Sequence, residues 1–246
     1  MNIEYETRKK EFIKKLEQLC IKHTRSIVFY ELCDLMGYAL DIDKTEEKEE
    51  AYKRIISKYD KKEQDILASA FADVVLGLES DRGDFLGECF MQLAMGDKSC
   101  RGQVFTPYHI SHLMGNISLD EENAKKKIEE QGYITIKDDC CGGGSLLIGA
   151  FYALKDLGYN PQTQALFYGN DIDRNCARMT YCQLSILGAC GIITVGDALK
   201  VETNEVFYTP MFLLNKYRFS NNIKQDRESN STSINNVIEE QLCLSF

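Results

Sequence analysis

An α/β protein, with a helical region leading into a sheet built of strand–turn–helix units, is what this sequence predicts. Three observations carry the expectation. Apolar residues recur at helical spacing over the first hundred positions, three short β-rich runs follow beyond residue 130, and each run ends in Gly or Asp. The 246 residues suffice for one large domain, or a smaller one with an extension, and the 44% hydrophobic and 27% charged fractions are those of an ordinary globular chain.

Up to about residue 98 the chain reads as helices. Phe12, Ile13, Leu16, Leu19 and Cys20 fall on one helical face, and Ile27, Val28, Leu32, Leu35, Met36 and Ala39 repeat the pattern. Lys44 to Lys58 is highly charged and reads as a solvated helix. Ile66, Leu67, Ala70, Phe71, Val74 and Val75 form another stripe, and a further helix starting near Asp84 carries Phe85, Leu86, Phe90, Leu93 and Met95. With no alternating pattern anywhere in this stretch, residues 1–98 are expected to be a helical packing domain rather than a catalytic one.

From residue 133 the texture changes. Tyr133 to Ile136 is a β-rich run leading into Asp138-Asp139-Cys140-Cys141-Gly142-Gly143-Gly144-Ser145, after which Leu146, Leu147, Ile148, Ala150 and Phe151 continue as a helix. Strand, glycine-rich turn, helix brings backbone close to a nucleotide-like ligand, because a Cβ would block the approach and some positions take positive φ. A tight structural turn would use the same residues. The second run, Ala165 to Tyr168, ends in Gly169-Asn170-Asp171-Ile172-Asp173, and an acid there can hold ribose hydroxyls. A helix with Cys176, Met179, Thr180, Gln183, Leu184 and Leu187 follows. The third run, Ile192 to Val195, ends in Gly196-Asp197-Ala198-Leu199, where an acid could accept from an adenine amino group. No Lys or Arg stands in the glycine loop, which carries two carboxylates, so a cationic ligand suits it better than a pyrophosphate.

Gly102-Gln103-Val104-Phe105-Thr106-Pro107-Tyr108, then the Asp138 to Ser145 loop, then Gly169 to Asp173 and Gly196 to Leu199, together resemble the adenine-N6 DNA methyltransferases. Within them the similarity is to the modification subunit of type I restriction systems and its relatives on phages and mobile elements, which also carry a helical domain before the Phe-Thr-Pro stretch. The resemblance covers about residues 84 to 200. It implies a Rossmann-like S-adenosylmethionine-dependent methyltransferase sheet over residues 99–215, with S-adenosylmethionine as cofactor. Phe105, Thr106 and Pro107 would pack beside its methionine end, Asp138 would face its ammonium, and Gly142 and Gly144 would let it lie against the backbone. Asp171 would bind the ribose and Asp197 the adenine, with Cys140, Ile172 and Ala198 completing the set. Read without the family, Phe105 is a core phenylalanine, and Thr106 and Asp173 are helix caps.

One part of the family pattern is missing. Its catalytic signature, an Asn or Asp followed by Pro-Pro and an aromatic, holds the exocyclic amine of a flipped adenine and stacks on the base. Prolines occur only at 107, 161 and 210, and Tyr208-Thr209-Pro210-Met211-Phe212 lacks the acid or amide. Only 49 residues follow Asp197, which the resemblance implies is too few for the catalytic loop and a target-recognition domain. The expectation is therefore a truncated sheet: the cofactor-binding half of a split enzyme, inactive alone. The rival is a non-enzymatic interaction protein of a phage or mobile element.

The remaining features bound partners and location. A formal charge of −9 argues against tight autonomous DNA binding, so any contact with DNA is expected through a local patch or, foremost, a partner subunit. The ten cysteines include no CxxC pair, and His109 with His112 lacks a third ligand, so no metal is expected. No apolar run approaches the ~20 residues of a membrane span and the charged N-terminus is no secretory signal, so the chain should be cytoplasmic. Residues 216–246 read as a flexible tail, with nine Ser or Asn among the seventeen residues 220–236. It ends in Gln241, Leu242, Leu244 and Phe246, a spacing similar to the peptides by which bacterial replication proteins dock on the sliding clamp.

Overall fold

The computed structural model describes residues 2–94, 105–216 and 218–219. Met95, Cys100, Gly102, Gln103 and Val104, and the tail from residue 220 with its docking residues, lie outside the described residues.

Five helices open the chain. In α1 (Ile3–Leu19) Tyr5, Phe12, Leu16 and Leu19 are buried on one face, as their spacing requires. α2 (Arg25–Leu40) buries Val28, Phe29, Leu32, Cys33, Leu35, Met36 and Gly37, because it is covered on more than one side. α3 (Glu46–Ile56) buries only Ile55 and has acids in its first turn and Lys53 and Arg54 in its last, an arrangement the helix dipole favours. α4 (Lys61–Ser80) starts in a capping box formed by Asp60 and Glu63. α5 (Phe85–Ala94) follows, with Phe85 stacked edge-on against Tyr5 and Phe12. Two more helices, α6 (Tyr108–Ser118) and α7 (Glu121–Gln131), lead to the sheet, and α7 ends at Gly132 with φ 88°.

The sheet contains β1 (Ile134–Asp138), β2 (Ala165–Asp171), β3 (Gly191–Val195) and β4 (Glu205–Tyr208), in the order β1-β2-β3-β4. The first three are parallel, joined by α8 (Ser145–Asp156) and α9 (Arg174–Ile186), which makes a Rossmann-like βαβαβ unit. β4 runs antiparallel, pairing Glu205 with Val195 and Tyr208 with Ile192. This is the predicted α/β class with a helical N-terminal region.

Strand alternation divides the core. Ile134, Ala165, Phe167, Ile193, Val195 and Phe207 belong to one apolar cluster with α8, α9 and the N-terminal helices, running without a break from Tyr5 to Phe207. Leu166 and Ile192 face the other way and meet Phe212 and Phe219 of the helical segment that begins at residue 210. Charged side chains pin the helical region to the sheet. Asp34 of α2 accepts from Arg174 Nη1 at 2.8 Å and from Arg178 Nε at 3.1 Å, and Arg174 also reaches Glu205 at 2.8 Å. The buried Arg178 guanidinium lies 4.0 Å from the Phe207 ring centroid. Among the described residues no helix is long and apolar enough to cross a membrane.

Candidate cofactor site

The register places the ends of β1, β2 and β3 side by side: Asp138 lies level with Gly169, and Asp171 level with Val195. Asn170 ties the three ends together. Its Nδ2 donates to the carbonyls of Asp139 (3.2 Å) and Gly196 (3.1 Å), and its Oδ1 accepts from Thr194 Oγ1 (2.8 Å).

The glycine loop turns from β1 into α8 through Gly142 (φ 54°) and Gly144 (φ 95°), conformations that disfavour any side chain. A Cβ on Gly142 would sit 3.2 Å from the Phe105 ring, and one on Gly144 would sit 3.0 Å from Thr180 Oγ1. Positive φ is the main reason for glycine at both positions, and the tight space around them adds to it. The Gly142 N–H donates to Asp171 Oδ2 at 2.8 Å, and Asp171 Oδ1 accepts from the Asp173 N–H at 2.9 Å. Asp171 thus clamps the loop, and each oxygen keeps a lone pair for a further donor.

Asp138 differs. Its Oδ1 accepts from the Cys140 N–H at 3.1 Å, but Oδ2 is buried with no hydrogen-bond partner. Burial pushes its carboxyl above the usual range, and the nearby Asp139 and Asp171 carboxylates add to the rise against the Cys140 hydrogen bond. A buried acceptor without a donor is costly, and a cationic or N–H-bearing ligand would relieve it. Lys137 pairs with Asp139 at 2.8 Å and Lys200 with Asp197 at 3.5 Å.

Phe105 is half-buried, its ring 5.4 Å from that of Phe90. The Thr106 carbonyl accepts from Ser145 Oγ at 3.0 Å, which holds the Phe-Thr-Pro stretch to the start of α8, and Pro107 occupies the N-cap position of α6. Cys140 is exposed beside the loop, and Ile172, 73% exposed, stands at the tip of β2. Phe105, Asp138, Cys140, Gly142, Gly144 and Asp171 are thus brought together. Asp197 and Ala198 lie on the same edge, in the turn after β3, but the Asp197 carboxylate points into that turn. Its Oδ1 accepts from the N–H groups of Leu199 (3.0 Å) and Lys200 (3.3 Å), and those bonds, the Lys200 one foremost, hold its carboxyl below the ordinary value.

The late proline segment is elsewhere. Because β4 is antiparallel to β3, it starts beside the strand tips and ends at the opposite edge of the sheet. There Thr209 Oγ1 accepts from the Gly191 N–H (2.8 Å) and donates to the Ala189 carbonyl (2.6 Å), so Tyr208-Thr209-Pro210 serves to lock the start of β3. A cavity of about 450 Å³ is also at that far end, between Leu78, Phe151, Pro161 and Leu187, and contains none of the strand-tip residues.

Three residues that sequence reasoning missed as site components act on the loop. Thr180 Oγ1 donates to the Gly142 carbonyl at 2.8 Å, Gln183 Nε2 donates to the Gly143 carbonyl at 2.8 Å, and the same Nε2 donates to the buried Asp84 at 2.7 Å. The signal available was polar residues, Thr180 and Gln183, on the same helical face as buried apolar ones. Among the described residues no group of His, Cys, Asp and Glu is arranged to hold a metal ion.

The family described as N-6 DNA Methylase matches residues 82–234, more than half of the 246-residue chain. The helices α1 to α4 precede the matched span. No curated protein sequence matches the chain. Five solved chains align with it, among them two methyltransferases. One is the methyltransferase subunit of a type I restriction-modification system from Streptococcus thermophilus, with 17% identity, 75% of this chain and 56% of that one covered, and a TM-score of 0.39. The other, described as a class I S-adenosylmethionine-dependent methyltransferase from Listeria monocytogenes, has 12% identity, 87% and 70% coverage, and a TM-score of 0.42. The chain thus spans little more than half the length of the Streptococcus subunit.

Proposed function

The chain belongs to the N-6 DNA methylase family, and from that premise we propose that it binds S-adenosylmethionine at the tips of β1, β2 and β3, as the cofactor-binding half of an adenine-N6 DNA methyltransferase of restriction-modification type. The observation that carries this reading is the buried, partnerless Asp138 Oδ2 beside the glycine loop, inside the family-matched span. Asp138 would accept from the ammonium of the methionine moiety. Asp171, already fixed by two backbone N–H groups, would accept from the ribose hydroxyls with its remaining lone pairs. Ile172 offers an exposed apolar surface for the adenine, Phe105 closes the side next to Gly142 with Thr106 and Pro107 following it, and Asp197 would border the far side. When bound, S-adenosylmethionine supplies an electrophilic methyl group.

The rest of the chemistry is assigned to residues outside this sequence. Methylating an adenine amine requires acceptors that orient its lone pair and an aromatic platform for the flipped base. The one proline segment after Asp197 sits at the wrong edge of the sheet and is engaged in holding β3, which supports a chain inactive alone. DNA contact through the partner subunit agrees with the net charge of −9.

Calorimetric titration of the full chain with S-adenosylmethionine tests the reading. Saturable binding near one per chain is expected, weakened about tenfold or more in Asp138→Asn. No binding at millimolar ligand would sink the proposal and favour a non-enzymatic interaction protein.

A further inference from the structure

The geometry points to Asp84 and Gln183 as positioning residues of the glycine loop, through which the helical region fixes the cofactor site. The inference rests on the reading of that loop as the cofactor-binding element. Gln183 is completely buried on α9 and Asp84 is 1% exposed at the start of α5. The Gln183 amide has one possible orientation. Its Oε1 accepts from the Leu86 N–H at 3.1 Å, while its Nε2 donates to the Gly143 carbonyl at 2.8 Å and to Asp84 Oδ1 at 2.7 Å. Rotating the amide by half a turn would set the nitrogen against a donor and the oxygen against two acceptors, so every hydrogen bond would be lost together.

Asp84 is fixed in turn by its own helix, since Oδ1 also accepts from the Gly87 N–H at 2.9 Å. The chain of contacts thus runs from the first turn of α5 through Asp84 and Gln183 to the Gly143 carbonyl. Thr180, one turn before Gln183 on α9, takes the Gly142 carbonyl at 2.8 Å. Both carbonyls are drawn toward α9, while the Gly142 N–H is held by Asp171 on the other side. Neither Asp84 nor Gln183 lies among the strand-tip residues that would touch the cofactor. Their effect on affinity is through loop order alone.

The test is amide hydrogen exchange over residues 139–146 of the ligand-free full chain, with S-adenosylmethionine titration alongside, in wild type, Q183L, D84A and D84N. Loss of the Gly143 and Asp84 hydrogen bonds should speed exchange in the loop about tenfold in Q183L and D84A and weaken binding by a similar factor. Asparagine keeps the acceptor for Gly87 and Gln183, so D84N should retain the wild-type loop exchange and affinity. Exchange in β2 and β3 separates loop loosening from general instability, which would speed all three. Unchanged loop exchange in Q183L, or a loosened loop with unchanged affinity, would overturn the inference. If D84A does not fold, Q183L against D84N still decides. Failure of the wild type to bind would end the cofactor reading, whereas the exchange arm would still decide whether the pair orders the loop.

Discussion

At the scale of single residues, two carboxylates, the half-buried Asp138 and the fully buried Asp84, have opposite relations to their surroundings. Asp138 leaves an oxygen without a partner, whereas Asp84 has its Oδ1 in two hydrogen bonds. Asp138→Asn should raise the thermal midpoint at neutral pH while weakening cofactor binding, because it removes a buried charge that only the ligand would offset. A midpoint that falls would show that the carboxylate is satisfied without ligand. For Asp84, burial pushes the carboxyl up to about 6, against the hydrogen bonds from Gln183 and Gly87, with Glu88 on its own helix adding to the rise. Tyr5 on α1, Cys89 on α5 and Cys176 on α9 also feel its charge, and Lys9 is taken up by Glu6 and Glu88. A folded-state pKa above the unfolded one means stability is fully present below about pH 4 and is lost as pH rises through 6, by an amount on the order of 3 kcal/mol. Asp84→Asn should therefore flatten the stability–pH curve between pH 4 and 6, as urea titrations at each pH would measure. The acids of the glycine loop and strand tips were legible because they end β-rich runs. Asp84 was not, since nothing in a lone sequence distinguishes a helix-starting acid in solvent from one sealed against another helix.

At the scale of elements, α6 and α8 approach through small residues. A Cβ on Gly149 would lie 2.5 Å from the Ser111 carbonyl oxygen, and one on Gly115 would lie 3.0 Å from the Gly149 and Ala150 backbone, a looser fit. Gly149→Ala should force the helices apart at a cost of ~1–3 kcal/mol, lowering the thermal midpoint by roughly 2–10 °C. It should also weaken cofactor binding, because the Phe105-Thr106-Pro107 stretch is tethered to the start of α8 through Ser145. Gly158→Ala, at φ 85° with open space around it, is the control: backbone strain without crowding, and unchanged affinity. The parallel strands were foreseen within a few residues, since each is a continuous β-rich run. β4 was not, because Glu205–Tyr208 is too short for alternation to register and its direction is set by pairing with β3. α7 escaped notice for another reason: it buries only Ala124, so no apolar stripe marks it.

For the whole molecule, the apolar cluster that joins Tyr5 to Phe207 implies one cooperative unit. Differential scanning calorimetry should give a single transition, and a chain starting at residue 82, where the family match begins, should fail to fold because α9 would expose the face that α2 covers. Asp34→Ala should destabilise by about 3 kcal/mol or more, since it strands the buried Arg178 without its carboxylate. Two separate calorimetric transitions would contradict this picture. That the helical region and the sheet share a core was invisible in the sequence, where apolar stripes name the buried faces but not what covers them.

The strand order β1-β2-β3-β4 has a kinetic consequence. Each strand pairs with the one synthesised just before it, so none must wait for a later segment to be inserted between neighbours already made. The sheet can grow in the direction of translation, closing one helical crossover at a time between the parallel strands and a shorter connection to β4. Asp138 and its glycine loop leave the ribosome before Asp171, which clamps them, and Thr209 comes last to fasten the start of β3. The loop's geometry is thus completed by residues that arrive after it, so a nascent chain stalled before residue 171 would carry the loop's sequence without its shape.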